Sequence, residues 1–265
     1  MTAEILQRPP PTRVPDRMSA PVLSVVIPVF DEEAHLSDVV ARLFAAPCPI
    51  ERQWIFVDDA SSDGSPAILD ALAAERDVTV IHRDVNGGKG AALRAGFAVA
   101  TGDYVMVQDA DMEYDPADVP RLLEPLLADQ ADVVFGSRFR AERTQVHRTF
   151  HYLGNRLLTD LSNVASGIYL SDMETCYKIF RADLIKAMTL RSERFGFEVE
   201  STAYVAKTGA RIFELPISYT PRTRLAGKKI GWRDGVAALW HIVHFNLLTP
   251  RRAAFTALPE RYRPR

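Results

Sequence analysis

The amino-acid sequence predicts an α/β protein in which helices cover both faces of a mostly parallel central sheet. Short apolar runs alternate with amphipathic helical segments from residue 22 to about residue 135, and such alternation is typical of parallel strands. Charged residues follow several of these runs, as expected where ligands bind beyond the carboxyl ends of strands. The 265 residues, 47% of them hydrophobic and 25% charged, suffice for one large domain or two small ones.

Five strands and four helices are predicted in the first half of the chain. The strands cover residues 22–29, 53–57, 78–81, 104–107 and 132–135, because these runs are apolar and mostly β-branched. The intervening helices cover residues 31–46, 65–74, 86–100 and 115–127. Ser65-Pro66 and Asp115-Pro116 begin the second and fourth helices, since each pair is typical of an N-cap followed by proline.

The second half of the chain is less regular. The predicted elements are helices over 152–164, 195–207 and 232–248, an edge strand over 211–219 and a basic loop over 219–230. Gly209 is expected to close the second of these helices. The strand is placed at an edge because Pro216 has no backbone N–H to donate.

The two ends of the chain differ in composition from the region between them. Residues 1–20 contain four prolines and few apolar residues, which predicts a disordered leader. Residues 21–248 are expected to form the folded domain and residues 249–265 a basic tail. From Pro221 onward, ten Lys or Arg residues accompany two acidic ones. This balance suits phosphate ligands or an anionic membrane surface, whereas a solvated tail is the preferred interpretation for residues 251–265.

Charge and cysteine content narrow the possible classes of protein. A net charge of −2 gives no overall field that would attract nucleic acid. Cys48 and Cys176 are not in a metal-ligand spacing and are compatible with a reducing compartment. The first residues lack the apolar core of a signal peptide, and no apolar run reaches the ~20 residues of a membrane span. We therefore expect a cytoplasmic protein, with peripheral contact at the inner face of the membrane as an option.

Asp109-Ala-Asp111 is the most informative motif, because it follows the predicted strand 104–107 directly. Residues two apart on an extended segment point the same way, so both carboxylates can reach one cation. Mg²⁺ typically takes one or two carboxylates plus substrate phosphates. A solvated loop pair is the alternative. Other polar residues are expected at the same edge of the sheet, namely Asp31, Glu32, Asp58, Asp59 and, after the fifth strand, Gly136-Ser137-Arg138.

Two further loops have the composition of ligand-binding loops. In Asn86-Gly-Gly-Lys89-Gly90, the glycines permit close backbone approach and Lys89 at a helix N-terminus favours an anion. The loop matches neither a P-loop nor a dinucleotide fingerprint, and a tight turn with a solvated lysine is the alternative. Asp58 and Asp59 follow a buried strand, where unpaired acids are costly. A nucleobase N–H or a ribose hydroxyl would pair with them.

These motifs together resemble family-2 glycosyltransferases of GT-A fold. The motifs that carry the resemblance, in order, are Val25-Val-Ile-Pro-Val-Phe-Asp-Glu-Glu, Val57-Asp-Asp-Ala-Ser-Ser-Asp-Gly, Asn86-Gly-Gly-Lys-Gly, Asp109-Ala-Asp and Gly136-Ser-Arg. The resemblance covers roughly residues 22–235. Within the family, the chain is most similar to the polyprenyl-phosphate mannose and glucose synthase group. The resemblance implies a UDP- or GDP-hexose donor, Mg²⁺ or Mn²⁺, and inverting transfer. Residues 21–138 would form the nucleotide-sugar half and residues 139–248 the acceptor half.

The resemblance also implies roles for individual residues. Pro28, Phe30, Glu32 and Lys89 would line the donor, Asp58 and Asp59 would contact base or ribose, Asp109 and Asp111 would hold the metal on the diphosphate, and Arg138 would face a donor or acceptor phosphate. Glu113 stands where the synthase group often has glutamine near the metal, so its place among the metal ligands departs from the family pattern. A metal and basic side chains would stabilise the leaving nucleoside diphosphate.

The acceptor decides which further groups the chemistry needs. A phosphate monoester is already anionic at neutral pH and needs cations, for which Arg138, Arg222, Arg224, Lys228 and Lys229 are candidates. The last four could instead close over the donor diphosphate. A sugar hydroxyl would need a general base, for which Asp172 or Glu174 is the candidate. Both lie in Asp172-Met-Glu-Thr-Cys-Tyr-Lys178, which resembles the acceptor-side motif of the family. For Asp172, a helix cap or a salt bridge to Lys178 or Arg181 is the alternative. Glu198 and Glu200 are expected to be solvated.

The predicted final helix carries an apolar stripe, formed by Val236, Leu239, Trp240, Val243 and Leu247. Core packing is the preferred interpretation of this stripe, and a surface that meets the membrane is the alternative.

The preferred hypothesis is metal-dependent transfer of a hexose to a polyprenyl phosphate. The alternatives are transfer to a saccharide or small-molecule hydroxyl, and a non-catalytic nucleotide-sugar binding protein. A sugar-phosphate nucleotidyltransferase fits less well, because its usual glycine-rich basic loop is absent after the first strand. A glycosidase fits poorly too, because two-carboxylate hydrolysis needs no metal.

Overall fold

A seven-stranded sheet lies at the centre of the fold, in the strand order β3-β2-β1-β4-β6-β5-β7. The computed structural model describes residues 20–140, 149–221 and 232–264. The strands in these ranges are β1 (Val22–Val29), β2 (Glu51–Asp58), β3 (Thr79–His82), β4 (Tyr104–Val107), β5 (Val133–Ser137), β6 (Lys178–Arg181) and β7 (Ile212–Pro216). Of these strands, only β6 runs antiparallel to its neighbours, β4 and β5. The predicted mostly parallel sheet is confirmed.

Helices connect the strands along the chain. Those in the described residues are α1 (Glu33–Ala45), α2 (Ser65–Glu75), α3 (Lys89–Val99), α4 (Val119–Leu127), α5 (Thr149–Ser166), α6 (Ala182–Ala187), α7 (Phe197–Ala206), α8 (Trp232–Val243) and α9 (Arg251–Ala254). A π-helical turn (His244–Leu248) extends α8, and short 3₁₀ turns cover Pro116–Asp118, Arg194–Gly196 and Glu260–Tyr262.

The core covers both faces of the central strands. Val26 and Ile27 in β1, and Ile55, Phe56 and Val57 in β2, have no exposed surface. Successive residues of a strand point to opposite faces, so burial of neighbours means that both faces are covered. This explains why these strands are continuous apolar runs, as is usual for parallel sheets.

The sequence did not predict β6 or α6. Lys178 begins β6 and is fully buried, with its ammonium group donating to the carbonyl oxygens of Met173 at 2.9 Å and Thr175 at 2.5 Å. The hydrophobic pattern does not indicate this strand, because two of its four residues are a lysine and an arginine. Because β6 lies between β4 and β5, the second half of the chain completes the sheet begun by the first.

Only one of the two predicted helix caps forms. The Asp115 carboxylate accepts from the Ala117 N–H at 3.0 Å, as predicted, although the first turn is 3₁₀ and α4 begins at Val119. Ser65 is not a cap. Its hydroxyl oxygen accepts instead from the Glu32 N–H at 3.0 Å, so it joins two loops.

The C-terminal segment is not the solvated tail that its charge predicted. Residues 251–254 form α9, and Phe255 and Tyr262 are 8% and 1% exposed. The Tyr262 hydroxyl donates to the Asp183 carboxylate at 2.9 Å. The segment therefore packs on the domain through residues that the basic composition obscured.

The preferred interpretation of the apolar stripe is also wrong, because it is not core. Val236, Leu239, Trp240, Val243 and Leu247 are between 41% and 65% exposed. Residues such as Ala238 and Ile242, on the opposite side of α8, are buried instead. The predicted leader up to residue 19 and the basic residues Arg222, Arg224, Lys228 and Lys229 lie outside the described residues. No helix among the described residues is long and apolar enough to cross a membrane.

The close approach of α3 to the sheet predicts how substitutions of two glycines change the free energy of unfolding. A Cβ atom on Gly96 would lie 2.3 Å from Val26 Cγ1 in β1, so Gly96→Ala should lower the free energy of unfolding by about 1–3 kcal/mol through overpacking. A Cβ atom on Gly154 in α5 would meet no atom within 4 Å, and Gly154→Ala should raise stability by about 0.5–1 kcal/mol. Urea unfolding measures both variants, and equal effects at the two sites would contradict the packing argument.

Candidate active site

Polar residues gather at one edge of the sheet, as the sequence predicted. The strands β1, β2, β4 and β5 run in the same direction, so their carboxyl ends share that edge. Asp31, Asp58, Asp109 and Arg138 lie at the ends of these four strands or directly after them. Side chains far apart in the sequence therefore meet around one region.

The loops after β1 and β2 are tied together by hydrogen bonds. The Asp31 carboxylate accepts from the Ser62 N–H at 2.7 Å, and the Asp31 N–H donates to the Ser61 hydroxyl at 3.0 Å. Asp31 has a φ of 49°, a left-handed conformation that aspartate adopts more readily than most residues. The predicted donor-binding residues Pro28, Phe30 and Glu32 are thus held at this edge, with Phe30 37% exposed.

Asp58 and Asp59 are buried and paired by the protein itself. Asp58 accepts from the Ser61 N–H at 3.0 Å and lies 2.9 Å from His82 Nδ1, which together with Asp70 raises the pKa of that histidine against the effect of burial. Asp59 binds the Arg83 guanidinium and accepts from the N–H groups of Gly87 and Gly88. The pairing that burial requires is therefore available from neighbouring loops, and contact of these residues with a base or ribose stays a prediction.

Lys89 is buried between two carboxylates. Its Nζ lies 2.7 Å from Asp109 Oδ1 and 2.8 Å from Glu198 Oε1, and its side chain is only 11% exposed. Burial alone would lower the pKa of Lys89, but the carboxylates of Asp109 and Glu198 raise it well above its usual value. The alternative of a solvated lysine is therefore wrong, and Lys89 binds the first aspartate of the Asp109-Ala-Asp111 motif.

Glu198 and Glu200 are buried, contrary to the expectation that they are solvated. They are 4% and 0% exposed on α7. Glu200 accepts from the N–H groups of Arg191 and Ser192, both at 2.8 Å. The apolar surroundings Phe197, Val199, Ala203 and Val205 were the signal that the helix is buried all round, and acids in such a helix need partners.

Asp111 and Glu113 lie beside each other after β4. The Asp111 carboxylate accepts from the Glu113 N–H at 3.1 Å, and the Glu113 carboxylate accepts from the Tyr219 hydroxyl at 2.6 Å. No group of three His, Cys, Asp or Glu side chains is arranged to hold a metal within residues 20–140, 149–221 and 232–264. The predicted three-carboxylate set with Asp109 is therefore not preformed. Asp109 and Asp111 offer only oxygen ligands, which fit Mg²⁺ or Mn²⁺ completed by a diphosphate.

Arg138 and Asp172 form a buried bidentate ion pair. Arg138 Nε and Nη2 each lie 2.7 Å from a different oxygen of Asp172, whose Oδ2 also accepts from the Arg138 N–H at 3.0 Å. Asp172 is fully buried. The Arg138 guanidinium also lies 5.2 Å from the ring centre of Tyr219. Asp172 is therefore neither a helix cap nor the partner of Lys178 or Arg181, and both of its oxygens are engaged.

Glu174 is half-buried and belongs to a polar cluster that includes Lys178 and Glu198, the partner of Lys89. Burial, together with the nearby Glu198 carboxylate, raises the pKa of Glu174 to about 7, whereas burial lowers the pKa of Lys178 to about 8. Glu174 Oε1, Glu198 Oε2 and Thr175 Oγ1 are shielded from solvent without a hydrogen-bond partner among the described residues. The sequence identified Glu174 but offered no sign that it shares a cluster with Glu198.

A mostly parallel sheet with acidic and glycine-containing loops at one edge is the arrangement expected of a GT-A glycosyltransferase. The chain belongs to glycosyl transferase family 2, whose model matches residues 24–189. The predicted family and fold are thus confirmed.

Curated relatives and solved structures agree with this assignment. The chain is 33% identical to an undecaprenyl-phosphate mannosyltransferase of Micrococcus luteus, over 81% of this chain and 94% of the relative. It is 30% identical to an undecaprenyl-phosphate 4-deoxy-4-formamido-L-arabinose transferase of Aeromonas hydrophila, over 87% and 69%. Glucosyl-3-phosphoglycerate synthase of Mycobacterium tuberculosis, solved with Mn²⁺ and UDP, shares the fold with a TM-score of 0.65 and 17% identity, over 85% of this chain and 80% of that one.

The raised pKa of Glu174 predicts a pH-dependent stability difference. The folded-state pKa of about 7 exceeds the value of about 4.3 expected for an unfolded chain. Between these values the unfolded state releases a proton that the folded state retains, so the wild type loses stability as pH rises. Glutamine does not titrate, so Glu174→Gln should lack this loss. Its free energy of unfolding should therefore rise relative to that of the wild type from about pH 5 to about pH 7.

Urea unfolding across that pH range measures the difference. Glu260→Gln serves as the control, because the Glu260 side chain is 85% exposed, and its stability should follow the wild type at every pH. A difference between Glu174→Gln and the wild type that stays constant with pH would contradict the assignment.

Proposed function

We propose that this protein transfers a hexose from a nucleoside-diphosphate sugar to a polyprenyl phosphate, with inversion and with a divalent cation. The names of the relatives from Micrococcus luteus and Aeromonas hydrophila support an undecaprenyl-phosphate acceptor. The donor is water-soluble and the acceptor is a membrane lipid. We therefore place the reaction in the cytoplasm, at the inner face of the membrane.

The ion pair that holds both oxygens of Asp172 favours a phosphate acceptor over a sugar hydroxyl. A general base needs an oxygen that can take a proton from the acceptor, but both oxygens of Asp172 are held by Arg138 in a buried pair. A sugar hydroxyl would therefore lack the base that the sequence nominated in Asp172. A phosphate monoester needs no base, because it is already an anion at neutral pH.

Arg138 is the residue to which we assign the acceptor phosphate. Two of its N–H groups bind Asp172, which fixes the plane of the guanidinium, and guanidinium groups suit phosphate oxygens geometrically. Asp172 thus acts as a positioning residue.

On the donor side, Asp109 and Asp111 would hold the cation on the diphosphate. That cation would neutralise the charge that develops on the leaving nucleoside diphosphate. Lys89 orients Asp109 through their ion pair, and Glu198 holds Lys89 in place. The interlocked loops after β1 and β2 would shape the nucleotide site, with Phe30 exposed to contact the base.

Inversion requires a single displacement. An oxygen of the acceptor phosphate forms a bond to the anomeric carbon while the bond from that carbon to the donor diphosphate breaks, and the nucleoside diphosphate leaves with the electron pair. The residues of this chain contribute by orienting the two phosphates on either side of the sugar.

One observation favours a second candidate function. Glu174 has a pKa of about 7, which is well matched to a general base at neutral pH. If a substrate reaches Glu174, the same donor chemistry would serve a saccharide hydroxyl. Its Oε1 atom is shielded from solvent, and this shielding favours a structural role.

An acceptor assay separates the two functions. With a panel of UDP- and GDP-hexoses and Mn²⁺, we expect product with polyprenyl phosphate and none with saccharide or small-molecule hydroxyl acceptors. Asp172→Asn should lower turnover by about tenfold or more through misplacement of Arg138, without removing the acidic limb that a general base gives to a pH–rate profile. Turnover only with hydroxyl acceptors, together with its loss in Glu174→Gln, would replace the proposal with the second function.

Replacement of Asp111 tests the metal assignment. Asp111→Ala should abolish turnover and the extra thermal stabilisation that donor gives in the presence of Mn²⁺, because a bound ligand stabilises the native state. Asp77→Ala is the control, since Asp77 is an exposed residue between α2 and β3. Unchanged Mn²⁺-dependent stabilisation in Asp111→Ala would refute the assignment.

A further inference from the structure

Two neighbouring helices expose apolar side chains to solvent. On α5, Tyr152, Leu153, Leu157, Leu161 and Val164 are between 40% and 86% exposed. On α8 and the π-helical turn, Val236, Leu239, Trp240, Val243, Leu247 and Leu248 are between 41% and 65% exposed. We call these eleven residues the apolar face. Contiguous exposed apolar surface on a folded protein commonly marks an interaction site.

The helices hold the apolar face in place because their inner sides pack on each other. Leu158 and Ala165 of α5 pack with Ala238 and Ile242 of α8 around the buried Met173. Met173 also donates its N–H to Thr159 of α5 at 3.2 Å. Since Met173 stands between Asp172 and Glu174, the apolar face is supported by the same segment that holds the acceptor-side residues.

A basic rim borders the apolar face. Trp240 also lines a cavity of about 440 Å³ between α8 and residues 191–194. The charged residues of that cavity are Arg191, Arg194 and Glu193, and all three are exposed. Arg191 donates to the Ala253 carbonyl oxygen at 3.4 Å, which places the exposed Arg251 and Arg252 of α9 nearby. Four arginines thus accompany one glutamate, with His241 and His244 beside them.

We propose that the apolar face and its basic rim dock the protein on an anionic phospholipid bilayer. This deepens the proposed function and rests on its lipid-phosphate acceptor. Leucine and valine side chains would enter the boundary of the acyl chains, and Trp240 suits the interface because its ring is apolar with one polar N–H. The arginines would face the lipid headgroups, where each basic residue adds attraction to anionic lipid.

The charge of the rim argues against a second copy as the occupant. Two copies that met through this surface would bring their arginine-rich rims together, and like charges across an interface are unfavourable. A bilayer offers the opposite charge. Docking through α5 and α8 would also bring the acceptor-side segment 172–174 toward the lipid phase, where a polyprenyl chain resides.

Vesicle co-sedimentation tests the proposal with the full chain and without substrate. The protein should bind vesicles of phosphatidylcholine mixed with phosphatidylglycerol at least about tenfold better than pure phosphatidylcholine, and added salt should weaken that binding. Two double variants should each lower binding by about tenfold or more. One combines Leu157→Glu with Trp240→Glu, and the other combines Arg251→Glu with Arg252→Glu. Leu127→Glu is the matched control, because Leu127 is 38% exposed at the end of α4 and lies outside the apolar face.

Activity separates failure of this proposal from failure of the proposed function. The Leu157→Glu, Trp240→Glu variant should keep its activity on a short, water-soluble prenyl phosphate and lose it on long-chain polyprenyl phosphate in vesicles. Vesicle binding without any transferase activity would overturn the function alone. Wild-type protein that stays in the supernatant with both vesicle types would overturn the docking surface. A wild-type dimer that these substitutions dissociate, with no vesicle binding, would assign the face to self-association instead.

Discussion

The buried ammonium group of Lys89 is the interaction on which the site depends. It joins the start of α3, the loop after β4 and the first turn of α7 through Asp109 and Glu198. A buried charge is tolerated only when it is paired. Movement of either carboxylate would therefore leave the buried ammonium group with fewer partners, at a cost in free energy. The pair therefore fixes the first aspartate of the Asp109-Ala-Asp111 motif before any donor arrives.

Other carboxylates at this edge of the sheet also hold neighbouring groups in place. Asp59 organises the glycine-containing loop, and Asp172 holds Arg138. In the function we propose, these two acids would position groups for the substrates rather than react with them. We assign a different role to Asp111, which would share the cation with Asp109. Its carboxylate accepts from the backbone N–H of Glu113.

The proposed acceptor and the apolar face support one another. An enzyme that transfers a sugar to a membrane lipid, as we propose for this protein, must meet the bilayer. A peripheral surface of exposed leucines, valines and Trp240 with an arginine-rich rim satisfies the same requirement. Met173 links that surface to the ion pair of Arg138 and Asp172, so the proposed acceptor site and the proposed membrane contact would share one segment.

The sequence by itself determined the strands of the first half, the edge where polar residues gather and the family. These follow from local patterns, because apolar runs, turn residues and motif order are readable without neighbours. Tertiary structure alone decided β6, the burial of Glu198 and Glu200, the exposure of Trp240 and the partners of Lys89 and Asp172. Each of these depends on which distant segment packs alongside, and hydrophobic periodicity cannot tell a stripe that faces the core from one that faces solvent or lipid.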